Sequence, residues 1–145
     1  MTLNKAITHF FVYGTLKRGE CREKCWPHKA LQIEPAWIIG ELYDTGEYPA
    51  LIRGNEPVLG EVWSFSADDF PAVVQALDEI EDYRLGRTEN LYTRERIECT
   101  TLDGRKLSAY TYYYAQLDSL RTFQRLSPSV HLNGMQFARW ARLTD

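Results

Sequence analysis

Phe10-Phe11-Val12-Tyr13-Gly14-Thr15-Leu16-Lys17-Arg18-Gly19 runs from an apolar strand into a turn bounded by glycines. Aromatic and β-branched residues in the first half suit a pleated, half-buried strand. Gly14 has no Cβ, so the chain can turn sharply there and a ligand can approach the backbone. Successive peptide N–H groups in such a turn form a nest able to hold a carboxylate or a developing oxyanion. Taken alone, the stretch reads equally well as an ordinary strand that ends at a turn.

Further strand-like runs follow at short intervals, over Ala36–Tyr43, Val58–Phe65, Tyr92–Thr101 and Leu107–Tyr114, with Thr8–Tyr13 as the first. Turn signals separate them at Asp44-Thr45-Gly46, Arg53-Gly54-Asn55 and Asp103-Gly104. Asp-Gly accepts the positive φ that a tight hairpin needs, which makes 103–104 the clearest hairpin turn. The polar stretches 17–29 and 115–129 read as loops or short helices, and residues 134–142 as a terminal helix. One stronger helix spans about 68–82: Ser66, Asp68 or Asp69 can cap it, and Pro71 is tolerated in its first turn. Many strands with few helices point to an α+β or mostly β domain whose sheet curls into a barrel.

On a wheel of about 100° per residue, Phe70, Val73, Val74, Leu77 and Ile80 share the apolar face of that helix. Asp78, Glu79 and Asp82 point sideways or outward, as solvated acids do. Glu81 falls inside the apolar arc. A carboxylate there either pairs with Arg84, Arg87 or Arg94 at the helix end, or enters a cavity. In a cavity, desolvation raises its pKa and makes it a general base, then a general acid, near neutral pH.

Composition narrows the remaining classes. The 145 residues suit one domain, 1–145, with a real core. Seventeen basic against twenty acidic residues give a net charge of −3, so no basic stripe for nucleic acid is indicated. The longest apolar stretches are far too short to span a membrane, and Met1–Ala6 resembles no secretory signal. Three cysteines (Cys21, Cys25 and Cys99) without such a signal suggest reduced thiols and a cytoplasmic location. Cys21, Cys25 and His28 are possible metal ligands, but their C-x3-C-x2-H spacing fits a zinc site poorly, so no metal is expected. His9, His28 and His131 are scattered without a triad partner, and no phosphate-binding glycine motif is present. Nine tyrosines suit a half-wet cavity as well as a sheet face.

The chain resembles the γ-glutamylcyclotransferase-like (AIG2-like) family. The resemblance rests on Phe11–Gly19, on Gly40–Leu51 with Tyr43, Gly46, Tyr48 and Pro49, on Gly60-Glu61-Val62, and on Leu77-Asp78-Glu79-Ile80-Glu81-Asp82-Tyr83. Tyr92-Thr93-Arg94 and Ala109–Tyr113 follow, so the blocks cover about residues 8–115 and leave the tail 116–145 unassigned. It implies a small, mostly antiparallel β-barrel with flanking α-helices and a cavity floored by the 13–16 turn. It also implies Glu81 as the acid/base, with Tyr13, Gly14, Thr15 and Leu16 as the ligand loop. Tyr48 and Tyr113 are implied wall residues. Asp82 departs from the family's pattern, in which glycine commonly follows the Glu.

The implied reaction closes a γ-glutamyl group into 5-oxoproline and releases the amine. Because the attack is intramolecular, holding the reactive conformer supplies much of the acceleration, and no cofactor is needed. The alternatives are a non-catalytic module that binds a small amine or carboxylate in the same cavity, and a partner-binding domain with Glu81 merely ion-paired. Neither the leaving amine nor an oligomeric state is written in these residues.

Overall fold

The computed structural model describes residues 6–140. Residues 1–5, most of the segment tested for a leader, lie outside the described residues, as do 141–142 of the expected terminal helix. Five strands form the frame: β1 (His9–Val12), β2 (Gln32–Asp44), β3 (Pro49–Ser64), β4 (Tyr92–Thr101) and β5 (Lys106–Tyr114). They pair in the order β3-β1-β5-β4-β2, and β2 pairs again with β3, so the sheet closes into a five-stranded barrel. Every junction is antiparallel except β1 with β5. Helix α1 (Phe70–Ile80) lies against the wall, and short 3-10 helices occupy Glu23–Cys25 and Leu117–Thr122. Among the described residues no helix is long and apolar enough to cross a membrane.

Strand alternation divides the apolar residues into two cores. Phe11, Leu42, Leu51, Val62 and Ala109 pack together inside the ring. Their neighbours Phe10, Trp63 and Tyr112 face outward and pack with Val73 and Leu77 of α1. Val73 and Leu77 are fully buried, each contributing on the order of 2 kcal/mol of apolar burial that fixes the helix on the wall.

The expected turn at Arg53-Gly54-Asn55 is a bulge within β3. The register passes from Glu41 opposite Ile52 to Gly40 opposite Glu56, leaving three residues of β3 unmatched. Gly54 allows this because a Cβ there would lie 2.7 Å from Glu41 Cβ and 2.8 Å from the Gly40 carbonyl. The strand therefore begins at Pro49, well before the expected Val58. The hairpin at Asp103-Gly104 forms as expected, with Gly104 at φ 93°.

The tail is extended where a helix was expected. After β6 (Gln124–Leu126), which pairs with β2, strands β7 (Val130–Leu132) and β8 (Met135–Phe137) form a hairpin. Its two turn residues, Asn133 (φ 51°) and Gly134 (φ 78°), both take the left-handed conformation that two-residue hairpins favour. That Asn-Gly turn makes a hairpin of the segment expected to be helical. Ala138 then exchanges backbone hydrogen bonds with Pro57 and Leu59, and Trp140 packs into the barrel-interior core. Lys17, 8% exposed, donates to the Trp140 carbonyl at 2.7 Å.

Candidate active site

A cavity of about 240 Å³ opens between the end of β1, the β2–β3 turn, the end of α1 and the start of β4. Tyr13, Gly14, Thr15, Leu16, Tyr48 and Glu81 all line it, so the turn and the helix carboxylate meet in one place. This size, near the lower end of ligand sites, suits a small head group.

The turn is held from below. Lys17 N donates to Gly14 O at 3.1 Å, Arg22 N to Thr15 O at 2.8 Å, and the Trp26 indole to Leu16 O at 2.9 Å. Trp26 is itself stacked on Trp63, with ring centroids 4.3 Å apart. The carbonyls of the turn are therefore occupied. The amides of Gly14, Thr15 and Leu16 donate to no partner among the described residues, which leaves three N–H groups for a ligand. Gly14 owes its identity to packing and not to a positive φ: a Cβ there would lie 2.6 Å from Pro49 Cγ. Pro49 is fixed in turn by the Tyr92 hydroxyl, which donates to its carbonyl at 2.7 Å.

Glu81 caps the C-terminus of α1, its amide donating to Leu77 O at 2.9 Å. The chain then leaves through Asp82 at φ 52°. Tyr83 N bonds Asp78 O and Asp82 N bonds Glu79 O, the pair of bonds that closes a Schellman turn, normally with glycine at the left-handed position. This stop aims the Glu81 side chain into the cavity, where it is 13% exposed. Burial pushes its carboxyl up to about 7, outweighing the Arg22 guanidinium, which pulls the other way. Arg22 Nη1 stands 3.9 Å from Glu81 Oε1. The arginines expected as ion-pair partners are engaged elsewhere or not in contact: Arg94 with Asp78 at 2.9 Å and Arg87 with Asp82 at 3.3 Å.

Two further residues differ from expectation. Tyr113 faces the barrel interior, under Arg53, and its strand neighbour Tyr112 lines the cavity instead. The period-2 alternation of β5 dictates that exchange. Asp78 is not a solvated acid: it accepts hydrogen bonds from Tyr112 Oη at 2.7 Å and Arg94 Nε at 2.9 Å. The Tyr13 hydroxyl donates to the Tyr112 carbonyl, and burial holds its phenol well above the usual range. Tyr13 therefore serves as a neutral wall and brace. Arg22 and Tyr92 also line the cavity. Arg22 was hidden in a basic cluster broken by Glu20 and Glu23, and only the fold separates it from its neighbours.

The family described as "Gamma-glutamyl cyclotransferase, AIG2-like" matches residues 10–131. The chain belongs to that family. A γ-L-glutamyl-butirosin B γ-glutamyl cyclotransferase of Niallia circulans is 38% identical over 119 residues, covering 80% of this chain and 72% of the relative. The chain is an enzyme of the cyclotransferase class by that kinship. Among solved structures, an AIG2-like protein of Mus musculus superposes with a TM-score of 0.59 at 23% identity, over 77% of this chain and 79% of that one. YkqA of Bacillus subtilis gives 0.57 at 21% identity over 85% of this chain, which spans 39% of that longer protein. These likenesses establish that the barrel is the family's fold.

Proposed function

We propose that this cyclotransferase closes the γ-glutamyl group of a small amine conjugate into 5-oxoproline, with Glu81 moving the protons. The observation that carries the reading is the juxtaposition of Glu81, whose carboxyl titrates at about 7, with the unpartnered amides of Gly14, Thr15 and Leu16 across one cavity.

At neutral pH Glu81 is close to half ionised, which suits a group that must first accept and then donate a proton. It takes a proton from the α-ammonium of the substrate, and the freed amine attacks the γ-carbonyl carbon. Charge develops on the carbonyl oxygen, and amides of the 14–16 turn stabilise it without having to reorganise. Glu81 then protonates the departing nitrogen as its bond to carbon breaks, and the ring nitrogen passes its remaining extra proton to the released amine, giving the neutral lactam and an ammonium ion. The aromatic walls, Tyr13, Tyr48, Tyr92 and Tyr112, hold the chain folded so that amine and carbonyl meet. Nothing in this sequence of proton transfers calls for a redox group or a metal.

The Niallia circulans relative is named for γ-L-glutamyl-butirosin B, which makes a butirosin conjugate one candidate substrate. A panel of γ-glutamyl amines, including an aminoglycoside conjugate, γ-glutamyl amino acids and glutathione, tests the reading. Release of 5-oxoproline from at least one, abolished in Glu81→Gln, is the expected result. Absence of 5-oxoproline from the whole panel would leave the cavity as a binding site without turnover.

A further inference from the structure

We propose that Arg22 holds the α-carboxylate of the γ-glutamyl group, leaving the amides of the 14–16 turn free for the carbonyl oxygen. This rests on the cyclotransferase reading above and assigns one of its two anions to a side chain.

Lys17, Arg18 and Arg22 are the first three cations after the ligand turn, and the first two are committed. Lys17 is buried on the Trp140 carbonyl, and Arg18 pairs with Glu61 at 3.2 Å. Arg22 alone of the three lines the cavity. Its backbone is pinned on both sides, by Arg22 N to Thr15 O at 2.8 Å and by Cys25 N to Arg22 O at 2.9 Å. The guanidinium is therefore delivered to the mouth by a fixed loop, although its own side chain is about half exposed.

The spacing matches an amino-acid head. The nitrogen and a carboxylate oxygen on one α-carbon lie about 3 Å apart by ordinary bond geometry. If the two take roughly parallel charge-assisted hydrogen bonds of about 2.8 Å, the protein groups that accept and donate them stand roughly three to four ångströms apart. Glu81 Oε1 and Arg22 Nη1 are separated by 3.9 Å. That distance is too long for a strong ion pair between them and right for a zwitterion bridging them. With the amine on Glu81 and the carboxylate on Arg22, the side chain of the glutamyl group points toward the turn. Only one mirror form of the α-carbon presents all three groups to their partners.

The pairing also helps the chemistry. A carboxylate seated on Arg22 offsets the guanidinium's field at Glu81, so that the substrate's own ammonium is the charge the base faces. The planar guanidinium binds a carboxylate through two parallel N–H groups, which lysine cannot reproduce.

Calorimetric titration with 5-oxo-L-proline and with 2-pyrrolidinone, the same lactam without its carboxylate, tests the assignment in the absence of turnover. Wild-type protein should prefer 5-oxo-L-proline by about 30-fold, the worth of one charge-assisted contact. In Arg22→Met that preference should fall to within about 3-fold, and Arg22→Lys should restore part of it. In turnover, compared well above the acid limb of each protein, Arg22→Met should lower kcat/KM for a γ-L-glutamyl amide by far more than for the corresponding 4-aminobutanoyl amide. An undiminished preference in Arg22→Met, or no preference in the wild type, would overturn the assignment. The two readings fail separately. If Arg22 governs lactam preference but no γ-glutamyl conjugate yields 5-oxoproline, the activity falls and the carboxylate site stands. If the wild type turns over and Arg22→Met behaves identically, only the carboxylate site falls.

Discussion

The Tyr112 hydroxyl donates a 2.7 Å hydrogen bond to the Asp78 carboxylate and so ties strand β5 to the helix turn that ends in Glu81. Arg94 reaches the same carboxylate oxygen at 2.9 Å, so three elements meet on one atom. The position of the proposed base is thus set from the strand side of the cavity. Tyr112→Phe removes the bond and leaves the ring. It should lower stability by roughly 1–3 kcal/mol in urea unfolding, as for a hydrogen bond to a charged group. Because Glu81 then sits less firmly, kcat should fall more than KM rises.

Glu81 gives a pH signature with a definite sign. Its carboxyl is raised from about 4.5 to about 7 by burial, so the folded protein binds this proton more tightly than the unfolded chain does. Below the unfolded value both states are protonated and the group is neutral to stability. As pH rises toward 7 the folded state loses ground, by at most about 3 kcal/mol at pH 8. Glu81→Gln lacks this loss. Thermal unfolding of the two proteins should coincide near pH 4 and diverge above it, with the variant more stable. The acid limb of kcat/KM in the wild type should lie near 7, and Arg22→Met should shift it upward.

Gly14→Ala places a methyl group against the Pro49 ring, where the ideal Cβ lies 2.6 Å from Cγ and 2.7 Å from Cδ. Pro49 is held by Tyr92, so the turn yields first. A displacement of a fraction of an ångström in the 14–16 amides should cost about 100-fold in kcat, with 1–3 kcal/mol of stability. Steady-state kinetics beside a melting curve separates the two effects.

Asp82→Gly should act in the opposite direction. The residue sits at φ 52° in the left-handed position of the Schellman turn, which costs a side chain on the order of 1 kcal/mol. Its carboxylate is 73% exposed, so the contact to Arg87 contributes little. Chemical denaturation should show a gain of about 1 kcal/mol with the acid limb of the rate profile unmoved.

The positions of the strands were legible in part because apolar runs and the Asp103-Gly104 turn are local signals. Glu81 was legible because a wheel shows which face a side chain occupies without any knowledge of neighbours. What failed depended on pairing. Arg53-Gly54-Asn55 has the composition of a turn, and only the opposing Gly40–Glu41 step makes it a bulge. Tyr112 and Tyr113 are indistinguishable by type, and the register with β4 decides which ring enters the cavity. Arg22 needed the loop 17–26 to fold back on the turn. The Asn133-Gly134 hairpin was readable locally, and the reading of 134–142 as a terminal helix passed over it.

The single parallel junction, between β1 and β5, has a consequence for how the molecule comes to be active. Phe10 sits beside Tyr110, a hundred residues later, and its other neighbour is Trp63. Contacts so distant in sequence form late, because the entropy of closing the intervening loop must be overcome first. The ligand turn is the direct continuation of β1. A chain still short of β5 therefore carries the turn and Glu81 but has no wall to bring them face to face. The cavity between the turn and Glu81 is complete only when the ring is closed.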